Sequence, residues 1–157
     1  MPVLQPLAEH DLDPLLAVQR EGAVTGLNHI FPQDSHPFPT QTVRNRWLAQ
    51  LADPDIDCFA ILNADQVTGF AATRADQLLH FGTAVRSWGT GLAGQAHDEV
   101  LEHLRGRGYR TAWLTVFEVN ERAIRFYIRR GWVPTGVRSR TTFPPHPTLC
   151  RYERVLA

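Results

Sequence analysis

Lysine is missing from this chain: all 16 of its basic side chains apart from histidine are arginine. A lysine nucleophile or lysine Schiff base is therefore excluded. Cysteine is almost as scarce, with Cys58 and Cys150 isolated in apolar, strand-like surroundings. Two such thiols support neither a disulfide framework nor a zinc site; they read as buried free thiols, and no metal site is expected. Charge of one sign is lacking too, because 16 acidic residues balance the arginines. A dedicated nucleic-acid binder would normally show a basic surplus, so no nucleic-acid partner is expected. No apolar run is long enough to span a bilayer, and the opening Met1-Pro2-Val3-Leu4-Gln5 lacks the charged and apolar regions of a signal peptide. A soluble protein of a reducing compartment, the cytoplasm, is expected, without a membrane partner. Repeats and low-complexity linkers are absent as well, and 157 residues suit one domain, spanning 1–157, with a real core.

The periodicities that are present alternate between strand and helix. Residues 3–7 read as a first strand and 11–18 as a helix, with acidic residues and Pro14 in its first turn. A polar stretch rich in Gly and Pro follows from 22 to 39, and then Thr40 caps a helix running through Val43, Trp47, Leu48 and Leu51. Strands are expected over 58–62 and 67–73, joined by a turn at Asn63-Ala64-Asp65-Gln66, and over 78–83. A helix ending near Gly106 or Gly108, a strand over 112–117 and a helix over 121–130 capped by Asn120 and closed by Gly131 come next. Two last strands, over 132–138 and 149–156, flank the proline-rich Phe143-Pro144-Pro145-His146-Pro147. Such an order predicts a mixed α/β (α+β) sheet flanked by helices.

Trp88-Gly89-Thr90-Gly91-Leu92-Ala93-Gly94 opens the third helix, whose apolar positions are Leu92, Ala96, Val100, Leu101 and Leu104. Glycines let a backbone come close to a ligand, and the first-turn N–H groups share one pole with the helix dipole. A phosphate or pyrophosphate fits there. Gly89, Gly91 and Gly94 also spell G-x-G-x-x-G, but a dinucleotide fold is disfavoured. The glycines do not directly follow the strand-like Leu78-Leu79-His80-Phe81, and the next strand, Ala112-Trp113-Leu114-Thr115-Val116-Phe117, brings no acidic ribose partner.

This order, with Trp88-Gly-Thr-Gly-Leu-Ala93 and Asn120-Glu-Arg-Ala123-Ile-Arg-Phe-Tyr127-Ile-Arg-Arg-Gly131-Trp132, resembles the GNAT N-acetyltransferase superfamily. The family's cofactor loop reads [Gln/Arg]-x-x-Gly-x-[Gly/Ala]. Arg86-x-x-Gly89-x-Gly91 fits the letters; Trp88-x-x-Gly91-x-Ala93 fits the family's spacing and is preferred, which puts tryptophan where a polar residue is usual. Asn120, Ala123, Tyr127 and Gly131-Trp132 match N-x-x-A-x-x-x-Y-x-x-x-G-[Phe/Trp] in phase. The resemblance is clear over 67–136 and architectural before that.

The resemblance implies a mostly antiparallel central sheet splayed between its fourth and fifth strands, with acetyl-CoA in the split. The pyrophosphate would rest on the backbone of Gly89, Thr90, Gly91, Leu92, Ala93 and Gly94. Phe81, Gly82 and Thr83 would offer backbone groups to the pantetheine arm and the acetyl carbonyl, stabilising the oxyanion that forms there. Asn120 would touch the cofactor while capping its helix. Tyr127 would lie near the thioester sulfur and protonate the departing thiolate.

The family's usual glutamates are replaced: Thr115 and Gln77 stand where protein and histone acetyltransferases carry them. An amine with a lysine-like pKa must still lose its proton, at a cost of about 4–5 kcal/mol at pH 7. His80 and Glu118 rank first as its acceptor, ahead of His29, Asp34 and His36, with a water relay as rival; His97 reads as structural. Strand alternation sets His80 opposite Leu79 and Phe81 unless a bulge intervenes. Phe31, Phe38, Trp47, Phe143 and His146 lie in segments that line the acceptor pocket in the family, which suits a small, partly apolar amine. The expectation is direct acetyl transfer to a small-molecule primary amine. A protein N-acetyltransferase and a degenerate acyl-CoA-binding or sensing domain are the alternatives, and a homodimer is left open.

Overall fold

The computed structural model describes residues 1–157. In chain order the elements are β1 (Leu4–Pro6), α1 (Leu12–Gly26), α2 (Thr40–Ala52), β2 (Ile56–Asn63), β3 (Gln66–Arg74) and β4 (Gln77–Thr83). Then come α3 (Leu92–Gly106), β5 (Thr111–Phe117), α4 (Glu121–Arg129), β6 (Val133–Arg140) and β7 (Thr148–Val155). The strands form one sheet of seven in the order β1-β2-β3-β4-β5-β7-β6. All neighbours are antiparallel except β4 and β5.

Local chemistry explains the hairpins. Ala64 and Asp65 adopt φ of 50° and 63°, the two left-handed residues that a tight β2–β3 turn requires. The helices show where tertiary packing overrides local preference. The helix expected over 11–18 continues through Gly22 to Gly26, into the stretch expected to be irregular. A mid-helix glycine costs about 1 kcal/mol relative to alanine. Contacts that exist only after folding offset this: Gln19 accepts a 2.9 Å hydrogen bond from the Trp47 indole, and Gly26 lies against the Trp88 ring.

Helices cover both faces of the sheet. Leu12, Leu15, Leu16, Val43 and Trp47 from α1 and α2 pack with Ala60, Phe70 and Ala72 of the sheet. On the other face Val100, Leu101 and Leu104 of α3 pack with Tyr127 of α4 and with Ala71, Leu114 and Tyr152. Ala71 and Ala72 thus point to opposite layers, as adjacent strand residues must. β6 forms the exposed edge strand, and no helix is long and apolar enough to cross a membrane.

Two irregularities create the site. β4 and β5 share a single registered pair, Gln77 with Trp113, and then part. Asp76 clamps that junction, its carbonyl accepting from the Trp113 amide and its carboxylate from the Trp113 indole, each at 3.1 Å. The second irregularity is a register shift between β3 and β4 that leaves Leu79 unpaired. A bulge of this kind puts consecutive residues on one side. Leu79 and His80 accordingly both meet the α1–α2 layer, while Phe81 stacks on Phe126 of α4, centroids 6.0 Å apart.

Candidate active site

Between the parted strands lies a cavity of about 1080 Å³. Its walls are residues 78–83 of β4, residues 114–117 of β5, the first turns of α4, the segment between α1 and α2, and residues 141–144 before β7. Beyond Gln77 the β5-facing edge of β4 has no strand partner, so backbone polar groups are presented to this space. Phe81, Gly82 and Thr83 line it. Gly82 is required by packing: a Cβ there would stand 2.6 Å from Cζ of Phe70. The Thr83 carbonyl is already engaged, accepting a 3.1 Å hydrogen bond from the Trp88 indole.

The glycine loop sits at one mouth of this cavity, represented in its wall by Trp88 alone. Gly89 and Gly91 have φ of 78° and 91°, conformations that L side chains rarely adopt, and an added Cβ at either would meet open space. Open space around a backbone that must be glycine leaves room for a ligand to approach. The amides of Gly89, Gly91, Ala93 and Gly94 have no hydrogen-bond partner in the protein, and Gly91 begins α3 without a side-chain cap. Above them lies Arg130, whose Nη2 would be 2.4 Å from a Cβ on Gly94. The Arg130 Nε is buried and unpartnered, and its guanidinium carbon sits 4.6 Å from the Phe126 ring centre. A cation held at the positive pole of a helix, with no acid paired to it, is unfavourable until an anion arrives.

Trp88 itself stacks beneath Arg122 of α4, with the guanidinium carbon 3.4 Å from the ring centre. Where the family pattern has Gln or Arg, this chain has an indole, and an arginine reaches it from the other side of the cleft. A cation–π contact of this kind contributes about 0.5–2 kcal/mol.

Asn120 and Tyr127 stand on α4 as the motif's phase requires. The Asn120 side chain accepts from the Ala123 amide at 3.3 Å, and both residues line the cavity. Tyr127 is buried, with its ring edge-on to Trp132 at 5.9 Å. Its hydroxyl makes no hydrogen bond within the protein, and burial pushes its pKa above the ordinary tyrosine value. The nearby Arg122 partly opposes that rise. The phenol therefore keeps its proton at neutral pH and offers it toward the cavity. His97 is buried behind it: Nε2 accepts from the Trp132 indole at 2.9 Å, so the ring proton is on Nδ1 and is donated to Asp98 at 3.0 Å. His97 supports the core and does not line the cavity.

The two candidate bases differ in position. His80 reaches the cavity wall but is gripped from α2, with Nε2 donating to Gln50 Oε1 at 2.8 Å and the ring tilted on Trp47 at 4.9 Å. Burial, with Arg46 and Arg74 nearby, pushes its pKa down to about 3, so the imidazole is neutral. Glu118 is not in the cavity wall and is ion-paired with Arg138. Thr115 lines the cavity, whereas Gln77 is buried at the β4–β5 junction and accepts from Arg74 at 2.9 Å. Of the other candidates, His36, Phe31, Phe38 and Phe143 line the cavity; Asp34, Trp47 and His146 do not. His29 lies outside the wall and ties the α1–α2 segment to the start of α4, its Nε2 3.0 Å from the Val119 carbonyl. Phe31 closes the same gap edge-on to Phe117 at 5.4 Å.

The Acetyltransferase (GNAT) family model matches residues 23–132. The chain belongs to the GNAT acetyltransferase family. No curated protein matches it. Among solved structures, a GCN5-related N-acetyltransferase from Rhodopseudomonas palustris superposes with a TM-score of 0.83 at 13% identity, covering 99% of this chain and 96% of that one. The PaiA N-acetyltransferase of Thermoplasma acidophilum, in complex with coenzyme A, gives 0.70 at 15% identity, covering 97% of each chain. The ribosomal-protein-S18-alanine N-acetyltransferase of Escherichia coli gives 0.72 at 19% identity, covering 100% of this chain and 95% of that one. At such identities these likenesses establish the GNAT fold.

Three arginines escaped the sequence reading: Arg46, Arg122 and Arg130. Arg130 had a signal, since Gly94 and the glycine before Trp132 bracket the two helix ends it joins. Arg46 had a weaker one, because α2 contains no acidic residue to pair with it.

Proposed function

We propose that this GNAT protein transfers the acetyl group of acetyl-CoA directly to the primary amine of a small molecule. The observation that carries the reading is the unbalanced positive charge at the start of α3. Four free amides, two glycines held at positive φ with open space beside them, and an unpaired Arg130 converge there. This donor set fits a pyrophosphate, and the cleft between β4 and β5 leads from it to Tyr127. Bound acetyl-CoA would supply an activated acyl group as a thioester.

The chain's own residues then have distinct tasks. Backbone groups on the β4 edge that has no strand partner, along residues 81–83 and apart from the engaged Thr83 carbonyl, orient the acyl end. Tyr127, neutral because it is buried, donates its proton toward the departing sulfur. The acceptor arrives as an ammonium and gives up two protons, one before it attacks and one as the new N–C bond forms and the C–S bond breaks. One restores the Tyr127 phenol and the other leaves the site. No carboxylate lines the cavity to take it, and His80 at a pKa of about 3 is a weak acceptor. Water in the cavity, ordered by His80 and Thr115, relays it outward. An aromatic and proline-rich wall favours a compact acceptor over an extended peptide.

The test is thiol release from acetyl-CoA across a panel of amines, for the wild type and Tyr127→Phe. Amine-dependent release that drops in the variant supports acetyl transfer. Tight CoA binding with no turnover of any amine would replace it with an acyl-CoA-binding domain.

A further inference from the structure

The wall of the cavity formed by α2 holds another unpaired cation. Arg46, on α2, lines the wall there and forms no ion pair with any acid. Its Nε is buried without a hydrogen-bond partner, and its guanidinium carbon lies 5.4 Å from the ring centre of Phe143. The neighbouring Arg44 on the same helix shows the usual solution, pairing with Asp13 at 2.5 Å. No aspartate or glutamate lines the cavity, and α2 has none to offer. The nearest acid in the covering segment, Asp34, stays outside the wall. Burial lowers the Arg46 pKa from the ordinary arginine value, yet a guanidinium starting near 12.5 stays charged at neutral pH. A half-buried cation whose Nε has neither solvent contact nor partner is costly, and its planar fork matches two oxygens of an oxyanion.

We infer that the acceptor amine carries a carboxylate or phosphonate, and that Arg46 binds this group while Phe31, Phe38 and Phe143 surround an apolar side chain. The acceptor class is thus an apolar amino acid or its aminophosphonate counterpart. The assignment rests on the acetyl-transfer reading for the amine end. It disfavours polyamines, whose further ammonium groups would meet Arg46 and Arg122 with no carboxylate in reach.

The test compares phenylalanine and leucine with their decarboxylated amines, phenylalaninamide, the phosphonate analogues and spermidine. Initial rates of thiol release are measured with the wild type, Arg46→Met, Arg46→Lys and, as a control outside the cavity, Arg44→Met. The expected result is at least a 100-fold kcat/KM preference for the anionic amines, by carboxylate or by phosphonate. Arg46→Met collapses that ratio through KM, Arg46→Lys restores part of it, and Arg44→Met preserves it. Equal or faster turnover of decarboxylated amines or spermidine by the wild type overturns the inference and leaves acetyl transfer standing. Calorimetric titration of the same compounds into the CoA complex separates the remaining outcomes. Binding of the anionic amines that Arg46→Met abolishes, without turnover, upholds the anion site and sinks acetyl transfer. Neither binding nor turnover of any anionic amine sinks the anion site.

Discussion

Replacing His80 with glutamine should change the pH dependence of folding stability in a calculable way. The imidazole has a pKa of about 3 in the folded protein, against 6.5 unperturbed. Burial among Trp47, Gln50 and the arginines disfavours its charged form. The unfolded chain therefore binds a proton at this residue as pH falls through 6.5, while the folded chain does not until pH 3. A depressed pKa gives stability that is fully present above the unfolded value and is lost on acidification between the two. Each pH unit in that window costs about 1.4 kcal/mol, so His80 alone should remove about 2 kcal/mol between pH 7.5 and pH 5.0. His80→Gln lacks that proton-binding site. It starts less stable, by about 1–3 kcal/mol for the lost packing and hydrogen bond. The gap between wild type and variant should then narrow by about 2 kcal/mol by pH 5.0. Urea unfolding at pH 7.5, 6.5, 5.5 and 5.0 reads this directly, because slopes from His97 and the carboxylates are common to both proteins. A gap constant to within about 0.5 kcal/mol would refute the argument, since it requires a far larger linkage. The same depressed pKa means that protonation of His80 does not set the acid limb of any rate profile above pH 5.

Three other outcomes follow from the site. Tyr127→Phe should lower kcat about 100-fold with CoA affinity and melting temperature little changed, because the hydroxyl has no partner within the protein; a large loss of stability would contradict this. Arg130→Met should weaken CoA binding about 10-fold by calorimetry with little change in the stability of the free protein, as methionine keeps the packing on Phe126 and removes a cation that no acid pairs. Gly82→Ala should destabilise by about 1–3 kcal/mol in urea, since its Cβ would press on the Phe70 ring at 2.6 Å; a neutral result would mean the ring has room to move.

Sequence by itself determined what depends on neighbours along the chain. The phase of Asn120, Ala123 and Tyr127 placed the cap and the cavity residues of α4, because 3.6-residue geometry is local. Gly89 and Gly91 announced a backbone open to close approach, and Asn63-Ala64-Asp65-Gln66 a turn, for the same reason. Tertiary structure decided what depends on residues far apart in the chain meeting. The bulge at Leu79, which turns His80 toward Trp47 and Gln50, is a mismatch of register between β3 and β4 that neither strand displays alone. The extension of α1 to Gly26 is stabilised by Trp47 and Trp88. Whether an arginine is paired is equally non-local: Arg44 finds Asp13 on α1, while Arg46 in the cavity wall and Arg130 beside Gly94 are left without an acid. A sequence counts charges and gives a net of zero; only the fold reveals that the balance fails inside the cavity, which Arg46 and Arg122 line without any aspartate or glutamate.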